Sequence, residues 1–139
     1  MLRHIFVLIV CITPLIGNCY DQFDAGKAAG MYITASDILF KLKQSECGYI
    51  IKRPVKNIDD AKNEIFSFLN KSDREAFREY FHSSEFKRKL EKNNQLVNQV
   101  ILTAKSTTDP DTGCGLAVGS LLDIVKTGED AWNKQINKR

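Results

Sequence analysis

The sequence has few of the residues on which catalytic sites usually depend. It contains two histidines and four cysteines in 139 residues. Only His82 lies outside the N-terminal segment, so any Cys–His or Ser–His nucleophile arrangement depends on that side chain, and no orienting carboxylate is recognisable beside it. The glycines match neither the dinucleotide-binding nor the phosphate-binding spacing. We therefore expect no catalytic residue and no cofactor.

A metal site is not indicated either. Asp109, Asp111 and Gly113 resemble the start of a calcium-binding loop, but the twelfth position of that loop should be a bidentate glutamate, and Ser120 stands there. An ordinary Asp-Pro turn is the better interpretation.

The chain also lacks a strong excess of charge of either sign. Lys and Arg number 20 against 17 Asp and Glu, a formal net charge of +3. Removing residues 1–19 would remove Arg3 and no acidic residue, so 20 minus 1 basic residues would face 17 acidic ones, giving +2. This near balance argues against a nucleic-acid-binding protein.

The longest apolar run is at the N-terminus. A basic head containing Arg3 precedes apolar residues 5–17, which is typical of a secretory signal peptide. Gly17 and Cys19 satisfy the preference for small residues before the cut, which places the mature start at Tyr20.

Two alternatives to cleavage remain. A retained anchor would need about 20 apolar residues, and lipidation of Cys19 would leave Asn18 where a small residue is expected. We predict a signal peptide at 1–19 and one helical domain at 20–139, exported to the periplasm or outside the cell. After cleavage we expect no stable membrane insertion.

Cleavage would leave one pair of cysteines. Cys11 and Cys19 would depart with the signal peptide, so Cys47 and Cys114 would remain. In an oxidising compartment we expect these two to form a disulfide, the alternative being two separate buried thiols. Closing so long a loop stabilises the fold by about 4 kcal/mol in the chain-entropy model.

Apolar residues recur at steps of three and four along the chain. This period predicts an all-α fold, a compact single-domain bundle of about five helices stapled by one disulfide. Helices are predicted over 21–47 and 57–69, from Ser72 to the Ser83-Ser84 pair, from there to the Asn93-Asn94 pair, around 96–104, and from 112 toward Ile136.

Several residues indicate where these helices begin and end. Asn57 or Asp59 is the expected cap of the second helix, and the series from Ser72 to Glu75 matches a capping box. Asn93-Asn94 is expected to interrupt a helix, and residues 107–113 are the clearest loop.

The most apolar stretch beyond the N-terminus is 112–125. We predict that it forms the central helix, and that Gly115, Gly119 and Ser120 form a thin face that a neighbouring helix approaches closely. Gly26 and Gly30 suggest a similar smooth strip on the first helix.

Other notable residues have ordinary structural interpretations. Phe77, Tyr80 and Phe81 are expected in the core. The spacing of four glutamates predicts that their carboxylates face solvent on the helices. These residues are Glu64, Glu75, Glu79 and Glu85. The basic residues of the segment after Cys47 suggest a solvated loop; they are Lys52, Arg53 and Lys56.

The overall pattern resembles periplasmic immunity proteins that protect bacteria against amidase effectors of type VI secretion. The shared features are a signal peptide, an alanine-containing first helix around 30–42, a cysteine soon after it, a capped helix like 57–69 and a late cysteine. The resemblance implies a disulfide-bonded helical protein, often dimeric, that blocks the active site of an amidase-type toxin and has no chemistry of its own.

Three functions follow from the sequence. The first is a protein that neutralises a toxin or cell-wall hydrolase through an exposed loop, for which the candidate partner-binding residues are Asp109, Pro110, Asp111 and Thr112. The second is a small envelope hydrolase that uses scattered carboxylates and His82. The third is a helical carrier in which Phe77, Tyr80 and Phe81 surround an apolar ligand.

Overall fold

The computed structural model describes the backbone of residues 16–138 and the side chains from residue 25 onward. This part of the chain contains five α-helices, one 3₁₀ turn and no β-strand. The elements are α1 (Ile16–Gln44), the 3₁₀ turn (Gly48–Ile50), α2 (Ile58–Phe68), α3 (Lys71–His82), α4 (Ser84–Lys105) and α5 (Pro110–Ile136). The predicted all-α bundle of about five helices is confirmed.

Most of the predicted signal peptide, residues 1–15, lies outside the described residues, and its cleavage stays a prediction. The proposed cut before Tyr20 falls inside α1. Between residues 16 and 138, none of the helices has both the length and the apolar character needed to cross a membrane.

α1 is the element on which the others are assembled. It makes its most extensive contact with α5, and it also packs against α2 and α4. α4 packs against both α1 and α5, and α3 packs against α4. The two longest helices therefore form the centre of the bundle.

The core has two parts, and α1 contributes to both. One part joins the second half of α1 to α4, α5 and the disulfide; its buried residues are Ala35, Ile38, Leu39, Leu42, Cys47, Ile51, Val97, Ile101, Ala104, Cys114, Val118, Leu121 and Val125. The other joins the first half of α1 to α2, to the α3–α4 junction and to α5; its buried residues are Ala28, Ala29, Tyr32, Ile33, Ala61, Ile65, Leu69, Phe81, Phe86 and Trp132.

The predicted disulfide is present between Cys47 and Cys114. Both residues are buried, and their Cα atoms are 5.3 Å apart, with a sequence separation of 67. A loop of this length corresponds to about 4 kcal/mol in the chain-entropy model. The bond fixes the end of α1 against the beginning of α5.

The predicted close approach at Gly115 and Gly119 is wrong. A Cβ atom at either residue would meet nothing within 4 Å, and both glycines are exposed, as is Ser120. The close contacts occur instead at Gly113, where a Cβ would lie 2.3 Å from the Ala104 carbonyl oxygen, and at Gly128, where it would lie 2.6 Å from that of Met31. Glycine spacing could not identify the buried face because α5 carries glycines on both faces.

The predicted capping box at Ser72 is also wrong. α3 begins at Lys71, and its cap is Asn70, whose side chain accepts a hydrogen bond from the Asp73 amide at 2.9 Å. Asparagine caps helices as well as serine does. The backbone is extended at Leu69 and Asn70, so Asn70 takes the capping position before Ser72 is reached.

The predicted interruption at Asn93-Asn94 does not occur, since α4 is continuous from Ser84 to Lys105. Asn93 is buried and donates a hydrogen bond from Nδ2 to Asp37 Oδ2 at 2.8 Å. The same oxygen accepts a hydrogen bond from Lys41 Nζ at 2.7 Å. This partner on α1 stabilises an asparagine inside a helix, against its local preference. By contrast, the predicted cap at Asn57 and the break at Ser83 are confirmed.

The two kinds of glycine in α5 give a direct test of the packing. We predict that Gly128→Ala destabilises the protein by about 1–3 kcal/mol, because the new methyl group overlaps α1 at Met31 and Ala35. Gly119→Ala, on the open face, should instead stabilise it by up to about 1 kcal/mol through helix propensity. Urea unfolding of both variants measures the difference. Equal effects would contradict this assignment of the packed face.

Candidate functional site

The four candidate partner-binding residues occupy the junction of α4 and α5. Asp109 is the N-cap of α5, and Pro110, Asp111 and Thr112 form its first turn. The predicted loop 107–113 is therefore shorter than expected, because α5 already begins at Pro110. Proline is well suited to this first position, where its missing amide proton is not needed. We call residues 109–112 the acidic corner.

Hydrogen bonds within the acidic corner fix its backbone. The Asp109 carboxylate accepts hydrogen bonds from the Asp111 amide at 3.2 Å and from the Thr112 hydroxyl. The bond from Thr112 holds the pKa of the Asp109 carboxyl below its usual range. The Thr107 hydroxyl donates to the carbonyl oxygens of Ala104 and Asp109, at 2.8 and 2.9 Å. Asp109 is therefore an ionised cap on the positive end of the helix dipole.

Contacts from the end of α1 and the 3₁₀ turn hold the acidic corner from the other side. The Tyr49 hydroxyl donates to Asp111 Oδ1 at 2.6 Å, and this bond raises the pKa of Tyr49. Lys105 forms an ion pair with Glu46 at 2.7 Å. Tyr49 is 52% exposed, so it links the 3₁₀ turn to α5 at the surface.

The acidic corner belongs to an unusually exposed segment. Residues 105–112 are all exposed, the longest such run between residues 25 and 138. The segment is nevertheless attached at its ends, because Ala104 and Gly113 are buried against each other and Cys114 follows in the disulfide. The result is a surface that is open to a partner yet held in one conformation.

A second polar group, which the sequence did not indicate, surrounds Glu64 on α2. The Tyr32 hydroxyl donates to Glu64 Oε2 at 2.8 Å, and the Lys56 ammonium pairs with the same oxygen. The Trp132 indole N–H donates to Oε1 at 3.3 Å. We call these four residues the Glu64 cluster; they join α1, α2, α5 and the segment before α2.

Glu64 was expected to be a solvent-facing helix charge, and that expectation is wrong. Burial alone would raise the pKa of the Glu64 carboxyl, but the hydrogen bonds from Lys56, Tyr32 and Trp132 more than offset this and lower it. A carboxylate kept ionised by three donors is a poor general acid. Ile65, the next residue in the sequence, is buried, so Glu64 lies beside the buried face of α2. This position next to a core residue is the sequence feature that could have indicated the partial burial of Glu64.

Arg53, in the same loop as Lys56, also has a partner. Arg53 forms a bidentate ion pair with Glu129 at 2.9 and 3.1 Å. A polar cavity of about 260 Å³ is bordered by this ion pair and by three members of the Glu64 cluster, Tyr32, Lys56 and Glu64. Lys56 and Arg53 therefore connect the loop to α2 and α5, and are not simply a solvated positive cluster.

The structure does not assemble a nucleophile at His82. This histidine is exposed and borders a surface depression shared with Glu75, Glu79 and Ser83. The Ser83 hydroxyl donates to the Tyr80 carbonyl at 2.6 Å and accepts from the Phe86 amide at 3.1 Å. Ser83 is thus committed to capping α4.

The three aromatic residues considered for an apolar cavity separate into two groups. Phe77 and Tyr80 are half-buried and line an apolar cavity of about 700 Å³ between four helices. Phe81 is buried in the core against Phe66 and Phe86. The expectation of a core position is therefore correct for Phe81 and only partly correct for the other two.

Comparison with known proteins adds no relative. No protein-family model matches the chain, and neither the curated proteins nor the solved structures gave a significant match. Functional inference therefore depends on the residues and geometry described above.

The Glu64 cluster generates a pH prediction. Because the pKa of Glu64 is lowered on folding, its contribution to stability is present above its ordinary value of 4.5 and is lost as the pH falls through the lowered folded value. We expect Glu64→Gln to lower the free energy of unfolding by about 1–2 kcal/mol at pH 7, the partial exposure of Glu64 limiting the effect.

Urea unfolding from pH 7 down to pH 3 measures this difference. The gap between the native sequence and Glu64→Gln should narrow below about pH 4.5, while Glu79→Gln, on the exposed face of α3, serves as the control. A gap that is constant over this range would contradict an ionised Glu64 as the stabilising species.

Proposed function

We propose that this chain is an exported periplasmic binding protein that neutralises a toxin or cell-wall hydrolase by blocking its active site. The observation that carries the proposal is the acidic corner: an exposed turn held in one conformation by the disulfide and by Tyr49. The resemblance to immunity proteins of amidase effectors supplies the class of partner.

Rigidity is the first argument for this role. A loop that must be ordered on binding loses conformational entropy, and a preorganised one avoids much of that cost. Here the Tyr49–Asp111 hydrogen bond, the Glu46–Lys105 ion pair and the Thr107 hydrogen bonds order the segment in the free protein. Such a turn is suited to entering a cleft without rearranging.

Composition is the second argument. Five large apolar residues are notably exposed in the described chain, and three of them lie at or beside the acidic corner: Tyr49, Leu102 and Leu116. Leu102 lies on the last turn of α4, and Leu116 on the second turn of α5. Exposed apolar and aromatic side chains around a polar turn are typical of a protein–protein interface. The carboxylates of Asp109 and Asp111 would then face donors or basic residues of the partner.

The proposed inhibition is tested on the product of the neighbouring gene. Its lytic activity on purified peptidoglycan is measured with increasing amounts of the mature, oxidised protein. We expect a one-to-one complex and complete inhibition. Turnover of peptidoglycan by the isolated protein would overturn the proposal in favour of the hydrolase alternative.

Substitutions in the acidic corner test the binding face. We predict that Asp111→Arg weakens the complex at least tenfold, equivalent to about 1.4 kcal/mol, through charge reversal. Tyr49→Phe keeps the Asp111 carboxylate and removes only its anchor, so it should have a smaller effect. Asp60→Arg is the matched control, because Asp60 is an exposed acidic residue in the first turn of α2. Titration calorimetry measures all three; loss of binding in Asp60→Arg alone would place the interface elsewhere.

Export is tested separately by intact-mass spectrometry of the protein recovered from the periplasm. We predict a chain that begins at Tyr20 and gains two mass units on reduction, corresponding to the Cys47–Cys114 bond. A chain that still begins at Met1 would contradict the predicted signal peptide.

A further inference from the structure

An apolar cavity lies away from the acidic corner. A cavity of about 700 Å³ opens between α1, α3, α4 and α5. Small-molecule sites commonly measure about 300–1,000 Å³. Its wall includes six apolar or aromatic side chains: Met31, Ala35, Ala76, Phe77, Tyr80 and Ile124. Ile124 is 47% exposed, so part of this wall faces solvent.

Two glycines of α1 increase the depth of the cavity. Gly26 and Gly30 lie one helical turn apart and both border it, and a Cβ atom at either would meet nothing within 4 Å. Glycine inside a helix costs about 1 kcal/mol relative to alanine. No packing contact requires glycine at these two positions, in contrast to Gly128. Side chains there would fill the cavity.

The polar groups of the wall are largely satisfied by their own helices. The Thr34 hydroxyl donates to the Gly30 carbonyl at 2.9 Å, and the Thr127 hydroxyl donates to the Asp123 carbonyl at 2.9 Å. An occupant therefore meets mainly hydrocarbon and aromatic surface.

The charged groups of the wall have one sign. Lys27 on α1 and Lys89 on α4 both border the cavity, and no Asp or Glu does so among the described residues. Both ammonium groups belong to exposed residues. An apolar cavity with cations at its border is complementary to a molecule with a hydrocarbon chain and an anionic end.

We propose that this cavity binds a long-chain carboxylate. The hydrocarbon chain lies against Met31, Phe77 and Ile124, over the surface that Gly26 and Gly30 leave open. The carboxylate pairs with Lys27 and Lys89. This site is independent of the acidic corner, so the protein carries two separate recognition surfaces.

The test uses the purified mature protein and dodecanoate below its micellar concentration, with isothermal titration calorimetry as the readout. Dodecyltrimethylammonium has the same chain and the opposite charge, and dodecanol has no charge. We expect saturable one-to-one binding of dodecanoate and binding of dodecyltrimethylammonium at least tenfold weaker. Equal binding of the two ions, or no binding of dodecanoate, overturns the proposal.

Two sets of variants distinguish the cavity from the rest of the surface. Gly30→Leu places a side chain in the cavity and should reduce dodecanoate binding at least tenfold without lowering the melting temperature, because a Cβ atom at this position meets nothing within 4 Å. Gly119→Leu makes the same change on the exposed face of α5 and should bind dodecanoate as tightly as the native sequence does. The double variant Lys27→Gln, Lys89→Gln should weaken the binding of dodecanoate but not the binding of dodecanol. Normal binding by Gly30→Leu contradicts the assigned site.

The outcome is separable from the proposed function, because no toxin or neighbouring gene product is present in this assay. Failure to bind dodecanoate leaves inhibition through the acidic corner unaffected. If the protein dimerises on concentration and dodecanoate binding is lost in the dimer, the proposal is overturned and the cavity is assigned to a second copy of the chain.

Discussion

The contact between α1 and α5 determines the arrangement of the other helices. At one end Gly128 allows the two backbones to approach closely at Met31, and at the other the Cys47–Cys114 disulfide joins them covalently. Between these points the buried side chains of both helices form one continuous core, onto which α4 packs. Because the pair is fixed at two separated points, it can neither slide nor rotate appreciably, and the shorter helices are placed by it.

Buried and half-buried polar contacts between helices supply the specificity that apolar packing alone lacks. The Asp37–Lys41–Asn93 group fixes α4 against α1, and the Glu64 cluster fixes α2 against both α1 and α5. No buried side-chain nitrogen or oxygen among the described residues lacks a hydrogen-bond partner. A displaced helix would leave several such groups unpaired, which is costly in a low-dielectric interior. These contacts therefore favour one register of the bundle over its apolar alternatives.

The sequence was sufficient for the helical class, the disulfide, the cap at Asn57 and the break at Ser83, because these depend on local spacing or on the count of cysteines. It was insufficient where the conformation or burial of a residue depends on a partner that is distant in the sequence. Asn93 stays helical because of Asp37 on α1, and Glu64 is half-buried because Tyr32, Lys56 and Trp132 converge on it. For the candidate site, the exposure of residues 109–112 could be anticipated from their turn chemistry, but Tyr49 as their anchor could not. The apolar cavity is bordered by residues of four helices, so no local sequence pattern could predict it.

The position of the disulfide has a consequence for proteolysis. Cys47 and Cys114 lie on either side of α2, α3 and α4 in the sequence. A protease that cuts one peptide bond anywhere between them produces two fragments that remain covalently joined, with α1 and α5 still held together. In a compartment that keeps the bond oxidised, a single nick in the exposed connections between these helices would not separate the fragment that carries the acidic corner from the helix that supports it.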